Sequence, residues 1–310
     1  MLLKIFRTTL LLVILPGKFP SAAFAQQAAN PTPATEMQEI PFEYKDRYLI
    51  SVRGNIGART NLQFLVDFGT TYTLLDRHFA GEPSSNGQGD GQGLDVAHFS
   101  TSISAKDVVV PEFAIGPIVM KNFHALLADF SEMPAIPPSI AGVVGLDILQ
   151  LHNMTIDFAE QKLILSSGVN GKHQAPLETC LVGLAVNASW KGMPIKLAIS
   201  TGVDVVTLDQ DRIKQGSYKP QKLKRGTVTS NFTVTPVAVF ETKGLSLSDT
   251  GLRGPGVLRG MQWPAASDHL DGFMPLLALG SNRVSLDFER HLLLWDDPAP
   301  PTQSARLAIR

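Results

Sequence analysis

The chain has 310 residues, of which 44% are hydrophobic and 18% are charged, and its formal net charge at pH 7 is −1. This composition predicts one or two globular domains with apolar cores. It gives no electrostatic basis for binding nucleic acid, because that affinity comes largely from Lys and Arg contacts with phosphates. Cys180 is the only cysteine, so no disulfide can form within the chain.

The N-terminus has the pattern of a secretory signal peptide. Lys4 and Arg7 precede an apolar run that ends at Leu15, and Ala23-Phe24-Ala25 is an A-x-A cleavage pattern. The apolar run is shorter than the roughly 20 residues that a membrane span requires. We therefore predict that residues 1–25 are removed and that the protein is exported, to the periplasm or outside the cell, without remaining at the membrane.

A Pro- and Ala-containing segment, residues 26–39, has little to bury and is predicted to be a flexible linker. After it, apolar and polar residues alternate with the period of β-strands. The stretches RYLISVRGNIG (47–57) and TNLQFLVDFG (60–69) surround a Gly/Asn turn and predict a β-hairpin. This hairpin ends at Asp67-Phe68-Gly69.

The triplet Asp67-Phe68-Gly69 also occurs in protein kinases. A kinase needs a Gly-rich loop before the triplet, a strand lysine and an H-R-D loop, and the chain has none of these motifs. Its Gly-rich stretch, residues 86–93, follows the triplet and lacks the G-x-G-x-x-G spacing. The pattern excludes a kinase.

The second half of the chain repeats the first. The stretch CLVGLAVNASWKGMPIKLAISTGVDVVTLDQ places Ser200-Thr201-Gly202 where the first copy has Asp67-Phe68-Gly69, an offset of 133 (200 − 67). The closing segments 141–165 and 271–295 share an offset of 130 (271 − 141). Two signals at opposite ends of a unit with nearly the same offset indicate an internal duplication of a whole domain.

Helical patterns are confined to residues 146–152 and 276–282, so the predicted fold class is all-β. The predicted organisation is a signal peptide (1–25), a flexible linker (26–39), an N-terminal lobe (40–166), a degenerate C-terminal lobe (176–297) and a tail (298–310).

A hairpin that leads into Asp-x-Gly-Thr, then Val143-Val144-Gly145, a short helix and a closing TIDF…KLIL strand pair, resembles the retropepsin-like and pepsin-like aspartic peptidases, in particular their exported bacterial branch. The resemblance implies two tandem retropepsin-like β-barrel lobes that form a pepsin-like bilobal body. Asp67 would be the catalytic aspartate of the first lobe, Gly69 would let two loops approach, and Thr70 would bind the outer carboxylate oxygen. A flap of two strands about a polar turn would come from residues 100–110.

The sequence departs from this family at two positions. Phe68 stands where the family usually has a threonine that bonds across to the other loop. The second copy keeps Thr201 and Gly202 but has Ser200 in place of the second aspartate, and its hydroxyl is too weak an acid to replace a carboxyl group. No base is expected beside Ser200, which we predict to fill the vacated space and bond to Asp67. Asp204 is either a displaced second acid or a turn carboxylate bonded to backbone amides.

Three functions remain open. The resemblance implies an aspartic endopeptidase that binds an extended peptide or an unfolded protein segment in an interlobe cleft and cleaves it through Asp67. The alternative is an inactive peptide-binding protein, because Ser200 leaves the catalytic pair incomplete. A third possibility is a homodimer in which two Asp67 loops meet. A monomer is expected, no cofactor is expected, and the seven histidines lack metal-binding spacings, so no metal site is predicted.

Overall fold

A computed structural model of the chain describes residues 5–7, 13–14, 37–45, 48–80, 94–98, 101–133, 136–180, 182–215, 223–230, 233–261 and 269–299. The strands of the first half are β1 Ile5–Arg7, β2 Val13–Ile14, β3 Gln38–Lys45, β4 Leu49–Ile56, β5 Arg59–Val66, β6 Leu74–Asp76, β7 Leu94–His98, β8 Thr101–Ile115, β9 Ile118–Ala128, β10 Ile140–Val144, β11 Met154–Asp157 and β12 Lys162–Leu165.

The strands of the second half are β13 His173–Pro176, β14 Glu178–Cys180, β15 Gly183–Trp190, β16 Met193–Ile199, β17 Val206–Asp209, β18 Lys224–Ser230, β19 Thr233–Glu241, β20 Leu245–Leu247, β21 Thr250–Gly251, β22 Pro255–Arg259, β23 Gly272–Met274, β24 Arg283–Asp287 and β25 Leu292–Trp295. The helices are short: α1 Arg77–Ala80, α2 Leu146–Leu149, α3 Gln210–Gln215, and the 3₁₀ turns Phe130–Glu132 and Leu276–Leu279. The predicted all-β class is confirmed.

Each half repeats one order of strands. In the first half the order is β3-β4-β5-β10-β6-β9-β8-β7, and in the second it is β14-β15-β16-β23-β17-β22-β19-β18. In both halves a parallel pair lies at the centre, β5 with β10 and β16 with β23. The repeat in sequence is therefore also a repeat in topology.

The two halves are joined by a shared antiparallel pair, β11 and β24. Thr155 lies opposite Ser285 in this pair, and their hydroxyl oxygens are 2.7 Å apart. These residues are separated by 130 positions (285 − 155), the offset of the closing segments, so each contacts its own counterpart. A pseudo-two-fold axis passes between them and relates the two halves.

The predicted flap is wrong in its boundaries. Residues 101–115 form one strand, β8, which pairs with β9 from Ala105 opposite Ala128 to Ile115 opposite Ile118. No turn forms because Val108 and Val110 alternate into the core, so the polar residues between them and Ala105 belong to the strand. The hairpin is instead made by β7 and β8 and connects at residues 99–100, which lie outside the described ranges.

Most of the predicted signal peptide, the linker up to residue 36 and the tail from residue 300 lie outside the described ranges. The two short strands that are described within residues 1–25 pair with different halves: β1 lies parallel to β18, and β2 lies antiparallel to β7. Among the residues that the structure describes, no helix has the length and apolar character needed to span a bilayer.

Candidate active site

Strand β5 brings Asp67 into the interior of the first half. Its last residues, Phe64 to Val66, are fully buried, and Asp67, which follows, is only 1% exposed. The backbone N–H of Asp67 donates to Val144 O at 3.1 Å, at the end of the parallel strand β10. The aspartate is therefore fixed where two central strands end.

The loop after Asp67 bonds to both oxygens of its carboxylate. The N–H of Gly69 donates to Oδ1 at 2.9 Å, and the hydroxyl of Thr70, itself buried, donates to Oδ2 at 3.1 Å. The structure thus places Gly69 and Thr70 on the carboxylate, as the resemblance implies.

Ser200 occupies the same local geometry in the second half. Its backbone N–H donates to Met274 O at 3.1 Å, at the end of β23, and the N–H of Gly202 donates to its Oγ at 3.0 Å. The first bond corresponds to that of Asp67 with Val144 and the second to that of Gly69 with the carboxylate. Ser200 is therefore the structural counterpart of Asp67.

The two loops meet within one chain. The hydroxyl of Ser200 donates to Asp67 Oδ1 at 3.0 Å, and the N–H of Thr201 donates to the same oxygen at 3.1 Å. The hydroxyl of Thr201 also donates to Val66 O at 2.6 Å. A Cβ on Gly69 would lie 2.8 Å from the Cβ of Ser200, so only glycine permits this approach. The place that a second Asp67 would take in a homodimer is filled by the chain's own second half.

Residues 51–148 match the family model described as aspartyl protease. This range contains Asp67, Gly69, Thr70 and the first three residues of the helix α2. This part of the first half is thus similar to the aspartyl-protease family. The match ends before Ser200.

Two solved structures of similar overall size resemble the chain. Basic 7S globulin from soybean aligns at 13% identity with a TM-score of 0.48, over 83% of this chain and 94% of that one. An aspartic proteinase from Irpex lacteus aligns at 12% identity with a TM-score of 0.48, over 83% of this chain and 96% of that one. No curated protein sequence matches the chain.

The hydroxyl bond from Thr201 to the opposite loop has no symmetric counterpart. Thr201 makes its bond to Val66 O, but Phe68, at the corresponding position of the first copy, has no donor to return it. Its ring is fully buried and packs in the main apolar core instead. The two loops are therefore held together by the bonds that Ser200 and Thr201 donate and by the packing of an aromatic ring.

The carboxylate of Asp67 is in an unusual electrostatic setting. Burial raises its pKa above the ordinary value, while the hydrogen bonds from Gly69, Ser200, Thr70 and Thr201 act in the opposite direction. The predicted bond between Ser200 and Asp67 is present, because Asp67 Oδ1 accepts from the serine hydroxyl. Both partners of that bond are buried, since Ser200 is 0% exposed and Asp67 is 1% exposed.

A second carboxylate, Asp147 on α2, supports the loop and was missed from the sequence. Its oxygens accept hydrogen bonds from Thr73, from the backbone N–H at 2.8 Å and from the hydroxyl at 2.7 Å. The Thr73 hydroxyl in turn accepts from the N–H of Gly145 at 3.1 Å. Burial raises the pKa of Asp147 to about 7, against the effect of the Thr73 bonds. In the second half the offset of 130 places Leu277 at this position, so the support is specific to the Asp67 side.

The structure also gathers Asp76, His78 and Asp129 at the ends of β6 and β9, a group that the sequence spacing did not suggest. Their ligand atoms lie within 4.8 Å of one another. Asp129 already accepts two bonds from Ser131 and pairs with the Arg77 guanidinium, at 2.5 Å. The group is an ion-pair and helix-capping cluster, because Asp129 caps the 3₁₀ turn Phe130–Glu132 and pairs with Arg77.

Proposed function

We propose that this protein binds extended peptides in a cleft between its two halves and hydrolyses them far more slowly than a two-aspartate peptidase, if at all. The observation that carries this proposal is the pairing of Asp67 with a serine, at 3.0 Å, where the aspartic peptidases have a second carboxylate. The family and the fold support a peptidase ancestry, and the residues at the centre support a loss of its chemistry.

A two-aspartate site works because the carboxyl groups share one proton. The ionised member takes a proton from a water molecule, and the protonated member donates to the scissile carbonyl. The hydroxyl of Ser200 neither gains nor loses a proton at neutral or acid pH, so Ser200 supplies neither role. Its hydroxyl also occupies Asp67 Oδ1, an oxygen that would otherwise face the attacking water.

Two sheet edges support the peptide-binding part of this proposal. Strands β7 and β18 lie at corresponding positions of the two halves, and each is an outer edge of its half-sheet. In the structure both edges accept a short added strand, since β2 pairs with β7 and β1 pairs with β18. A sheet edge binds an extended segment through backbone hydrogen bonds whatever its sequence. We propose that, in an exported and processed monomer, these edges are open to a peptide or an unfolded protein segment.

The test compares the protein without residues 1–25 with its Ser200→Asp variant, on a mixed peptide library between about pH 3 and 7. We expect the parent to bind peptides with little cleavage. Ser200→Asp should cleave at least about 100-fold faster, because general acid–base catalysis contributes factors of this size. A statine-type transition-state analogue should inhibit that cleavage.

The matched control is Ser248→Asp, which adds the same charge at an exposed turn of the second half and should leave cleavage at the parent level. Rapid cleavage by the parent that disappears in Asp67→Asn would overturn the proposal in favour of an active peptidase. Absence of peptide binding by the parent would overturn it in the other direction.

A further inference from the structure

Asp204 lies on the loop that carries Ser200, two residues before β17, and one oxygen of its carboxylate has no hydrogen-bond donor. Within the described ranges, this oxygen, Oδ1, is buried and has no hydrogen-bond partner. The one hydrogen bond found there for the carboxylate comes from its own backbone amide. Of the two roles that the sequence left open, a turn carboxylate bonded to backbone amides is met only by that single amide.

The apolar surroundings of Asp204 make the missing hydrogen bond energetically unfavourable. The residues on either side, Val203 and Val205, are buried in two separate apolar clusters. Burial raises the pKa of Asp204 to about 7. A buried carboxylate without donors is expensive, so such groups normally have a partner or a function.

The other carboxylates near the centre of the molecule have their donors. Asp67 accepts from Gly69, Thr70, Ser200 and Thr201, and Asp147 accepts twice from Thr73, as described above. Asp204 differs from both in lacking donors from other residues. The residue as a whole is only half-buried although Oδ1 is buried, so part of it borders solvent.

The position of Asp204 relates it to the cleft. It follows Ser200 by four positions, which limits their Cα distance to about 14 Å. The offset of 133 makes Thr71 its counterpart, so the two residues flank the central pair on opposite sides of the pseudo-two-fold axis. A peptide that lies over Asp67 and Ser200 therefore comes within about 14 Å of the Asp204 backbone.

We propose that Asp204 is a specificity residue of this cleft, whose carboxylate pairs with a basic side chain, Lys or Arg, of an extended peptide. The inference rests on the proposed peptide binding. A cationic donor at the solvent-bordering part of the residue neutralises the charge of the carboxylate, which a neutral donor does not. The occupant is thus an extended peptide with a basic residue beside the segment that crosses the central pair.

The experiment uses two synthetic peptide mixtures of equal length and otherwise random composition. One mixture contains Lys and Arg, and the other has Gln and Met in their places. Binding is measured by fluorescence anisotropy at about pH 8, where a carboxyl group with a pKa near 7 is mostly ionised. We expect the parent to bind the basic mixture about tenfold more tightly, the size of effect given by one good charged contact.

Asp204→Asn should reduce this preference to less than about twofold and leave the affinity for the uncharged mixture unchanged. Asp204→Ser gives a second variant without the charge, in case the first folds poorly. The matched control is Glu241→Gln, which removes one negative charge at the exposed end of β19 and should keep the preference.

The outcomes separate this inference from the function on which it rests. Equal binding of the two mixtures by the parent, or a preference that survives in both Asp204 variants, would overturn the role of Asp204 and leave peptide binding intact. Failure of the parent to bind either mixture would overturn peptide binding, and the inference with it.

Discussion

Thr201 ties the two central loops together through one buried hydroxyl. It donates to Val66 O at 2.6 Å, and Phe68 returns no equivalent bond. Thr201→Val keeps the shape of the side chain but removes the donor from a buried carbonyl. We expect the free energy of unfolding, measured by urea denaturation, to fall by about 1–3 kcal/mol.

The control for this change is Thr179→Val, on the exposed face of β14, which should alter the free energy of unfolding by less than about 0.5 kcal/mol. Equal effects of the two substitutions would mean that the cross-bond contributes nothing to the stability of the site.

For single residues, the sequence predicts those that belong to a local motif. Asp67, Gly69 and Thr70 stand in one short pattern, and the repeat then locates Ser200 and Thr201. Their contacts across the two halves follow from the pseudo-symmetry. Asp147 could not be found in this way, because its partner Thr73 is 74 residues away and no spacing rule links them. The lack of hydrogen-bond donors from other residues at Asp204 could not be predicted from the sequence, since it depends on the whole surrounding fold.

At the scale of secondary-structure elements, the start of β15 lies directly against the Asp67 loop. Gly183 has φ +109°, a conformation that favours glycine, and a Cβ there would lie 2.4 Å from Phe68 O. Gly183→Ala combines backbone strain with a clash that only a shift of β15 or of the loop can relieve. We expect the free energy of unfolding to fall by about 3 kcal/mol or more.

Gly192 provides the matched control for the clash. It also has a positive φ, +85°, but an added Cβ would meet nothing within 4 Å. Gly192→Ala should therefore cost only the backbone strain, about 1–2 kcal/mol. Chemical denaturation of both variants measures the difference. If Gly183→Ala costs no more than Gly192→Ala, the close approach of β15 to the loop does not constrain the site.

The strands were largely predictable, because a period of two in hydrophobicity persists wherever one face of a sheet is buried. The flap was misplaced because polar residues within 100–110 were interpreted as a turn, although this stretch contains neither Gly nor Pro. The helices α1 and α3 were missed because helices this short do not develop an amphipathic period. The predicted boundaries of elements were therefore wrong where the local sequence pattern and pairing with distant strands favour different structures.

At the scale of the whole molecule, buried carboxyl groups determine how stability depends on pH. Burial raises the pKa of Asp67, and it raises those of Asp147 and Asp204 to about 7. In the unfolded chain these groups lose their protons near pH 4. Between about pH 4 and 7 the folded protein therefore holds more protons than the unfolded one, and its stability falls as the pH rises.

Other carboxyl groups act in the opposite direction at lower pH. The pKa of Asp129 is lowered, first by the hydrogen bond from Ser131, and that of Asp297 is lowered, first by the hydrogen bond from Lys172. Their contributions are present above their ordinary pKa and are lost as the pH falls below it. Asp297 is largely exposed to solvent, so screening limits its effect, whereas the Asp129 side chain is only 12% exposed. The carboxyl groups with a raised pKa and those with a lowered pKa together place the maximum of the free energy of unfolding at mildly acidic pH.

We therefore expect the free energy of unfolding, measured by urea denaturation from about pH 3 to 9, to peak near pH 4–5 and to decline towards pH 7. Each group that differs by one proton contributes at most about 1.4 kcal/mol per pH unit to this slope. Asp204→Asn should remove part of the decline, and Asp147→Asn should do so at the cost of a lower overall stability, because an amide cannot accept both bonds from Thr73. Glu241→Gln should retain the whole slope, since this side chain is exposed. A parent protein whose stability rises steadily from pH 4 to 7, or an Asp204→Asn variant with the parent's slope, would show that these carboxyl groups are not held protonated by the fold.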